Sequence, residues 1–234
     1  MPVTTLNKIV SIFLVGGLVL LFATILHWSG FRYLAEHLNQ AVVPTEVTAL
    51  LVAGAFVLAA LAGAVAEAVS DVTFRRIVRA IAANAAVATA FGQRFSFLRT
   101  SRWRARFMDS WVKGKPCVEP LDAGSLAAAY MYQTGTTEHI QWVTNEYATY
   151  ILACDFAAAV LLALGDVTVL RLAGGISGNR YASALGAGAT VIYALLVLAV
   201  GRYLYAYEIV YRQGFVQLEK SSEHASDKSP MVNS

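Results

Sequence analysis

Uncharged runs divide this sequence more sharply than any motif. Ile9 to Phe31, Val47 to Ala66 and Tyr181 to Gly201 contain no Asp, Glu, Lys or Arg, and Tyr147 to Gly165 contains a single one, Asp155. A bilayer core about 30 Å thick is crossed by roughly 20 helical residues rising 1.5 Å each, so each run is long enough to span. The pattern predicts an all-α integral membrane protein with four transmembrane helices, at 9–31, 47–69, 147–165 and 181–203. Around them lie a short N-terminal segment (1–8), a long helical loop region (70–146), and a helix extension with a mobile tail (204–234). Ala80 to Gly92 is also apolar, but it is alanine-rich and too short to cross, so it reads as an extension of the second helix or a surface segment.

Composition agrees. Of the 234 residues 57% are hydrophobic and 14% charged, against about 25% charged in soluble domains, which excludes an ordinary soluble enzyme and a disordered chain. Cys117 and Cys154 suggest no disulfide framework, and His27, His37, His139 and His224 are too scattered for a zinc pattern. No cofactor is expected. The run after Lys8 is longer than a signal-peptide core and is read as an uncleaved first span.

With four spans, both termini and the long loop share one side. Fifteen of the 18 lysines and arginines fall there, which assigns that side to the cytoplasm or its organellar equivalent. A bacterial inner membrane and a eukaryotic organelle membrane are equally compatible. Trp28, Phe31 and Tyr33 would mark the outer end of the first span, and Tyr147 and Tyr150 the inner start of the third. Tyr203, Tyr207 and Tyr211 recur every four residues and form a stripe suited to anchoring or helix packing. Small residues at Gly16, Gly17, Gly54, Ala59, Gly63, Ala184, Gly186 and Gly188 are where helices could approach closely.

Asp155 is the most informative single residue. An aspartate at mid-membrane costs about 2.5–3.5 kcal/mol, comparable to what all the large apolar residues of its own span return, so it must lean on neighbours. Counted from Tyr147 it lies about 12 Å deep, and Tyr193 and Thr190 of the fourth span reach a similar depth, so either hydroxyl is a candidate donor. The three form an expected intramembrane polar site. It would serve either as a structural contact, within the chain or with another subunit, or in moving an ion or proton.

Beyond the second span, Glu67, Asp71, Arg75 and Arg79 recur every four residues and predict a salt-bridged, solvated helix running to about Phe91. Arg94, Arg99, Arg102, Arg104 and Arg106 follow without an acid, interleaved with aromatics including Trp103. Next to a membrane, that segment suits anionic lipid headgroups or an acidic partner surface better than nucleic acid. Lys113 to Pro116 is a loop rather than a phosphate cradle, Asp122 could cap a helix to about Tyr132, and Thr137 could cap another leading into the third span. Cys117, Asp122, Glu138 and His139 match no catalytic template, and Gly174 to Asn179 reads as a turn.

The expected function is a non-catalytic four-span subunit or scaffold of a larger membrane assembly. Its partners would be the bilayer, anionic headgroups, and other subunits or copies of itself. The alternative is a homo-oligomeric ion channel or proton-linked transporter using Asp155; a membrane enzyme ranks below both.

Overall fold

A computed structural model describes residues 2–28, 32, 45–84, 86, 90, 106 and 137–227, with side chains at 9–28, 32, 48–84, 86, 90, 106, 137, 138, 140–213, 215 and 216. Five helices stand out among these residues: α1 (Pro2–Leu26), α2 (Thr45–Val72), α3 (Phe74–Ala83), α4 (Thr137–Leu172) and α5 (Gly178–Asp227). No strand occurs among the described residues. Four helical stretches are long and apolar enough to cross a membrane: Ile9–Leu26, Thr48–Ala83, Ile140–Leu172 and Gly178–Gln213.

Element boundaries differ from the sequence expectation in three places. α4 begins at Thr137 and runs without a break to Leu172, so Asp166 and Arg171, expected in a loop, are helical. α5 is a single helix to Asp227, although the polar composition after Leu218 had suggested a mobile tail. Between α2 and α3 the backbone ladder continues through Thr73, whose N–H donates to the Val69 carbonyl at 3.0 Å and whose carbonyl accepts from Ile77 at 3.0 Å. The Thr73 hydroxyl also donates to the Val69 carbonyl, at 2.6 Å. Of the expected continuation to Phe91, residues 85, 87–89 and 91 lie outside the described residues, as do the segment around Lys113 to Pro116 and the expected helix from Asp122.

The α4–α5 connection shows why it is so short. α4 ends in a two-bond cap: the Gly175 N–H donates to the Leu170 carbonyl at 2.9 Å and the Gly174 N–H to the Arg171 carbonyl at 3.1 Å. This cap needs a left-handed residue, and Gly174 supplies it with φ of 77°. Arg171 then closes the turn by donating to the Ile176 carbonyl at 2.8 Å. Ser177 leads into α5, where its carbonyl accepts from the Tyr181 N–H at 3.0 Å.

The chain divides into two compact units. The first, Met1–Ile77 with Ile151–Ala199, holds α1, α2 and the apolar parts of α4 and α5. Here α1 and α2 cross at small residues: a Cβ on Gly16 would collide with the Ala59 carbonyl, and one on Gly63 with the Ile12 carbonyl. Gly188 likewise lies against the Leu164 side chain. Three of the glycines singled out in the sequence are therefore contact points. Gly17, Gly54 and Gly186 have open space where a Cβ would stand.

Burial in this unit concentrates on α4, where Ala153, Cys154, Asp155, Ala157, Ala158 and Ala159 are all at most 4% exposed. Large apolar side chains point the other way. Leu50, Phe56, Val57, Leu58 and Leu61 of α2 are exposed, as are Leu14, Leu21 and Ile25 of α1. Small residues inside and large apolar residues outside is the order expected where lipid, not water, is the surrounding solvent.

The second unit, Val78–Tyr150 with Val200–Ser234, packs the start of α4 on the later part of α5. Its core is an aromatic row. Ring centroids lie 5.2 Å apart for Tyr147 and Tyr150, 5.0 Å for Tyr150 and Tyr203, 4.8 Å for Tyr203 and Tyr207, and 6.1 Å for Tyr207 and Tyr211. Tyr150, expected as an interfacial anchor, is instead fully buried. The i, i+4 spacing of the α5 tyrosines stacks one face of that helix against Tyr147 and Tyr150, so the stripe is a packing surface. Arg202 adds a forked pair with Glu146 at 2.8 and 3.1 Å.

Candidate functional site

Asp155 sits in the first unit among alanines that offer its carboxylate no side-chain partner. Its partner comes from α3: Arg75 Nη2 donates to Asp155 Oδ1 at 2.7 Å, and both side chains are under 10% exposed. The same guanidinium donates through Nη1 to Asp71 Oδ1 at 2.8 Å, one helical turn earlier, and lies 3.9 Å from Glu67 Oε1. One cation therefore faces three carboxylates. Ser70, fully buried, lies beside Asp155.

The local sequence explains the assembly. Glu67, Ser70, Asp71 and Arg75 fall at i, i+3, i+4 and i+8, which places them on one face of the helical path through α2 and α3. Asp71 stands N-terminal to Arg75, the more favourable ion-pair order. A buried charge left unpaired is strongly destabilising, and a guanidinium offers several donors in a fixed fork, so one arginine can hold an acid on its own helix and another on a packed one.

This corrects two sequence expectations. Arg75, placed on a solvated stalk, is 7% exposed and ties α3 to α4. Neither expected hydroxyl reaches Asp155 in its stead. Thr190 Oγ1 donates to the Gly186 carbonyl of its own helix at 2.9 Å, and Tyr193 is 70% exposed, on the outward face of α5. The Thr190 back-bond repeats at Thr24, Thr144, Thr149 and Thr168, each satisfying its hydroxyl on the carbonyl four residues earlier.

A second polar pair was missed. His27 Nε2 lies 3.0 and 3.2 Å from the two carboxylate oxygens of Asp166, with side chains 43% and 33% exposed. It joins the end of α1 to the last turns of α4. Asp166 follows Asp155 by eleven residues, about three helical turns, and so falls on nearly the same face of α4. One face of this helix is thus tied at two levels to two different helices. Asp166 falls just beyond the 147–165 span that the sequence predicts, and the extension of α4 to Leu172 is what brings it beside His27.

Of the arginine-rich segment, Arg94, Arg99, Arg102, Trp103 and Arg104 lie outside the described residues, and Arg106 is exposed. Cys117 and Asp122 also lie outside them, as does the side chain of His139, while Glu138 is exposed at the start of α4. Among the described residues, no group of three or more His, Cys, Asp or Glu side chains is placed to hold a metal ion. No family model, curated protein or solved structure matches this chain.

Proposed function

We propose that this chain is a multi-pass integral membrane protein with both termini on the side that carries most of its basic residues, and that it serves as a non-catalytic four-span subunit or scaffold of a larger membrane assembly. The carrying observation is residues 51–58 of α2, which are exposed at every position around more than two full turns. A span that completes its packing within its own bundle buries a stripe along its length; this stretch buries none. Such a face suits lipid or another chain. The intramembrane acid points the same way, because its charge is already matched inside the chain by Arg75. The segment bearing Arg94, Arg99, Arg102, Trp103, Arg104 and Arg106 would meet anionic headgroups or partner subunits on the terminus side.

Purification of the tagged full chain in mild detergent tests this reading. A fixed set of different chains at constant ratio is the expected result. A symmetric assembly of this chain alone would overturn it and favour the second reading, a homo-oligomeric channel or proton-linked transporter.

That second reading draws support from Asp166, a second acid on nearly the same face of α4 as Asp155, with a histidine against it. Pathways for protons are built from such series. Proton uptake by liposomes containing only this protein, abolished by Asp155→Asn, is the result this reading requires.

A further inference from the structure

Arg75 meets more acid than it can hold at once. Nη1 donates to Asp71 Oδ1 at 2.8 Å and Nη2 to Asp155 Oδ1 at 2.7 Å, while the same Nη2 stands 3.9 Å from Glu67 Oε1. Hydrogen bonds of this type form at about 2.7–3.2 Å, so a displacement of about 1 Å carries Nη2 from Asp155 to Glu67. Asp71 and Glu67 stand on the helical path of Arg75 itself, before it in sequence, whereas Asp155 belongs to α4. The partner that Nη2 takes therefore decides whether the guanidinium joins two helices or closes on one.

Charge sets that partner. As an anion Asp155 has the stronger claim, because its side chain is 6% exposed against 22% for Glu67 and an enclosed carboxylate without a partner is the costlier of the two. Once Asp155 is neutral that claim lapses. Ionised Glu67 is then the better acceptor for a guanidinium, since the full negative charge adds Coulomb attraction to the hydrogen bond. The charged groups that bear on Asp155 are Arg75 from α3 and Glu67 from α2. In the same unit α1 carries only Lys8 and His27, the latter held by Asp166, and α5 as far as Ala199 carries only Arg180.

We infer that Arg75 is a two-position cation governed by the charge on Asp155. With Asp155 ionised it ties α3 to α4. When Asp155 takes up a proton, Nη2 passes to Glu67, the guanidinium is held wholly by Glu67 and Asp71, and α3 is released from α4. Neither proposed activity is assumed.

Dipolar coupling between nitroxide labels at Ile77→Cys and Leu161→Cys reads the α3–α4 separation in the full chain, in a Cys117→Ser, Cys154→Ala background. Both label sites are exposed and belong to the same unit as the cluster. Asp155→Asn, neutral and of the same shape, is expected to lengthen the separation by about 2 Å or more, the scale of shifts between packed helices. Adding Glu67→Gln removes the competing charge and is expected to restore the parent separation. A pair that only holds the helices together predicts otherwise, because losing a second acid cannot bring them back. An unchanged separation in Asp155→Asn, or one that stays long in the double variant, overturns the inference. Asp155→Ser, alone and with Glu67→Gln, is read in the same way if the asparagine variant fails to fold.

Discussion

Residues 51–58 of α2 and 153–159 of α4 are both short pieces of long apolar helices, yet the first is exposed at every position and the second is buried at six of its seven. The exposed piece contains two leucines, two valines and a phenylalanine beside two alanines and a glycine; the buried piece is mostly alanine and carries the aspartate. Hydropathy cannot separate inside from outside here, because the larger apolar side chains are the exposed ones. What separates them is size and charge. Small residues let helices approach, and an ionised pair has to be enclosed by protein.

The largest expected break in this contrast is at the ion pair. Arg75→Ala or Asp155→Ala leaves the other charge enclosed without its partner and should cost about 3–5 kcal/mol, read as loss of apparent unfolding free energy in mixed micelles. Arg75→Met with Asp155→Leu should recover most of that loss, since an apolar pair of similar volume removes the burden of two enclosed charges. Persistence of the full loss in the double variant would mean the cluster does more than balance charge.

Next come the close crossings. Gly16→Val and Gly63→Val drive atoms into the Ala59 and Ile12 backbone, and Ala158→Leu overfills the wall of α4; each should cost about 1–3 kcal/mol by the same measurement. Gly54→Val and Gly17→Val, with open space around them, should show no steric loss. Removing the His27–Asp166 contact by His27→Ala should cost no more than about 1 kcal/mol, because both side chains are a third or more exposed. Smallest of all, Leu58→Ala should change the stability of the isolated chain by less than about 0.5 kcal/mol. If it nevertheless weakens co-purification of other chains, the exposed run of α2 is a protein interface rather than a lipid face.

Much of the architecture was legible in the sequence, because hydrophobic length and helix punctuation are local properties. The four apolar helices, the start of α4 at Thr137, the Gly174 turn, the Asp71–Arg75 pair and the contacts at Gly16, Ala59, Gly63 and Gly188 all follow from neighbouring residues. The partner of Asp155 did not, since it lies 80 residues away on a segment that looked solvated. Asp155 lies at the middle of α4, eighteen residues after Thr137 and seventeen before Leu172. The residue that the sequence misplaces is Arg75, which reads as part of a solvated stalk and is buried. A polar face running from Glu67 to Arg75 directly out of an apolar helix was the available signal. It pointed to a protein neighbour, and the only Asp, Glu, Lys or Arg in the other three apolar runs was Asp155.

The fifty unbroken residues of α5 measure about 75 Å along the axis, more than twice the thickness of a bilayer's hydrocarbon. Such a rod sets angular phase as well as reach. One residue inserted after Gly201 would turn every later side chain by about 100° and advance it by 1.5 Å, moving the tyrosine face away from Tyr150 while leaving the apolar half untouched.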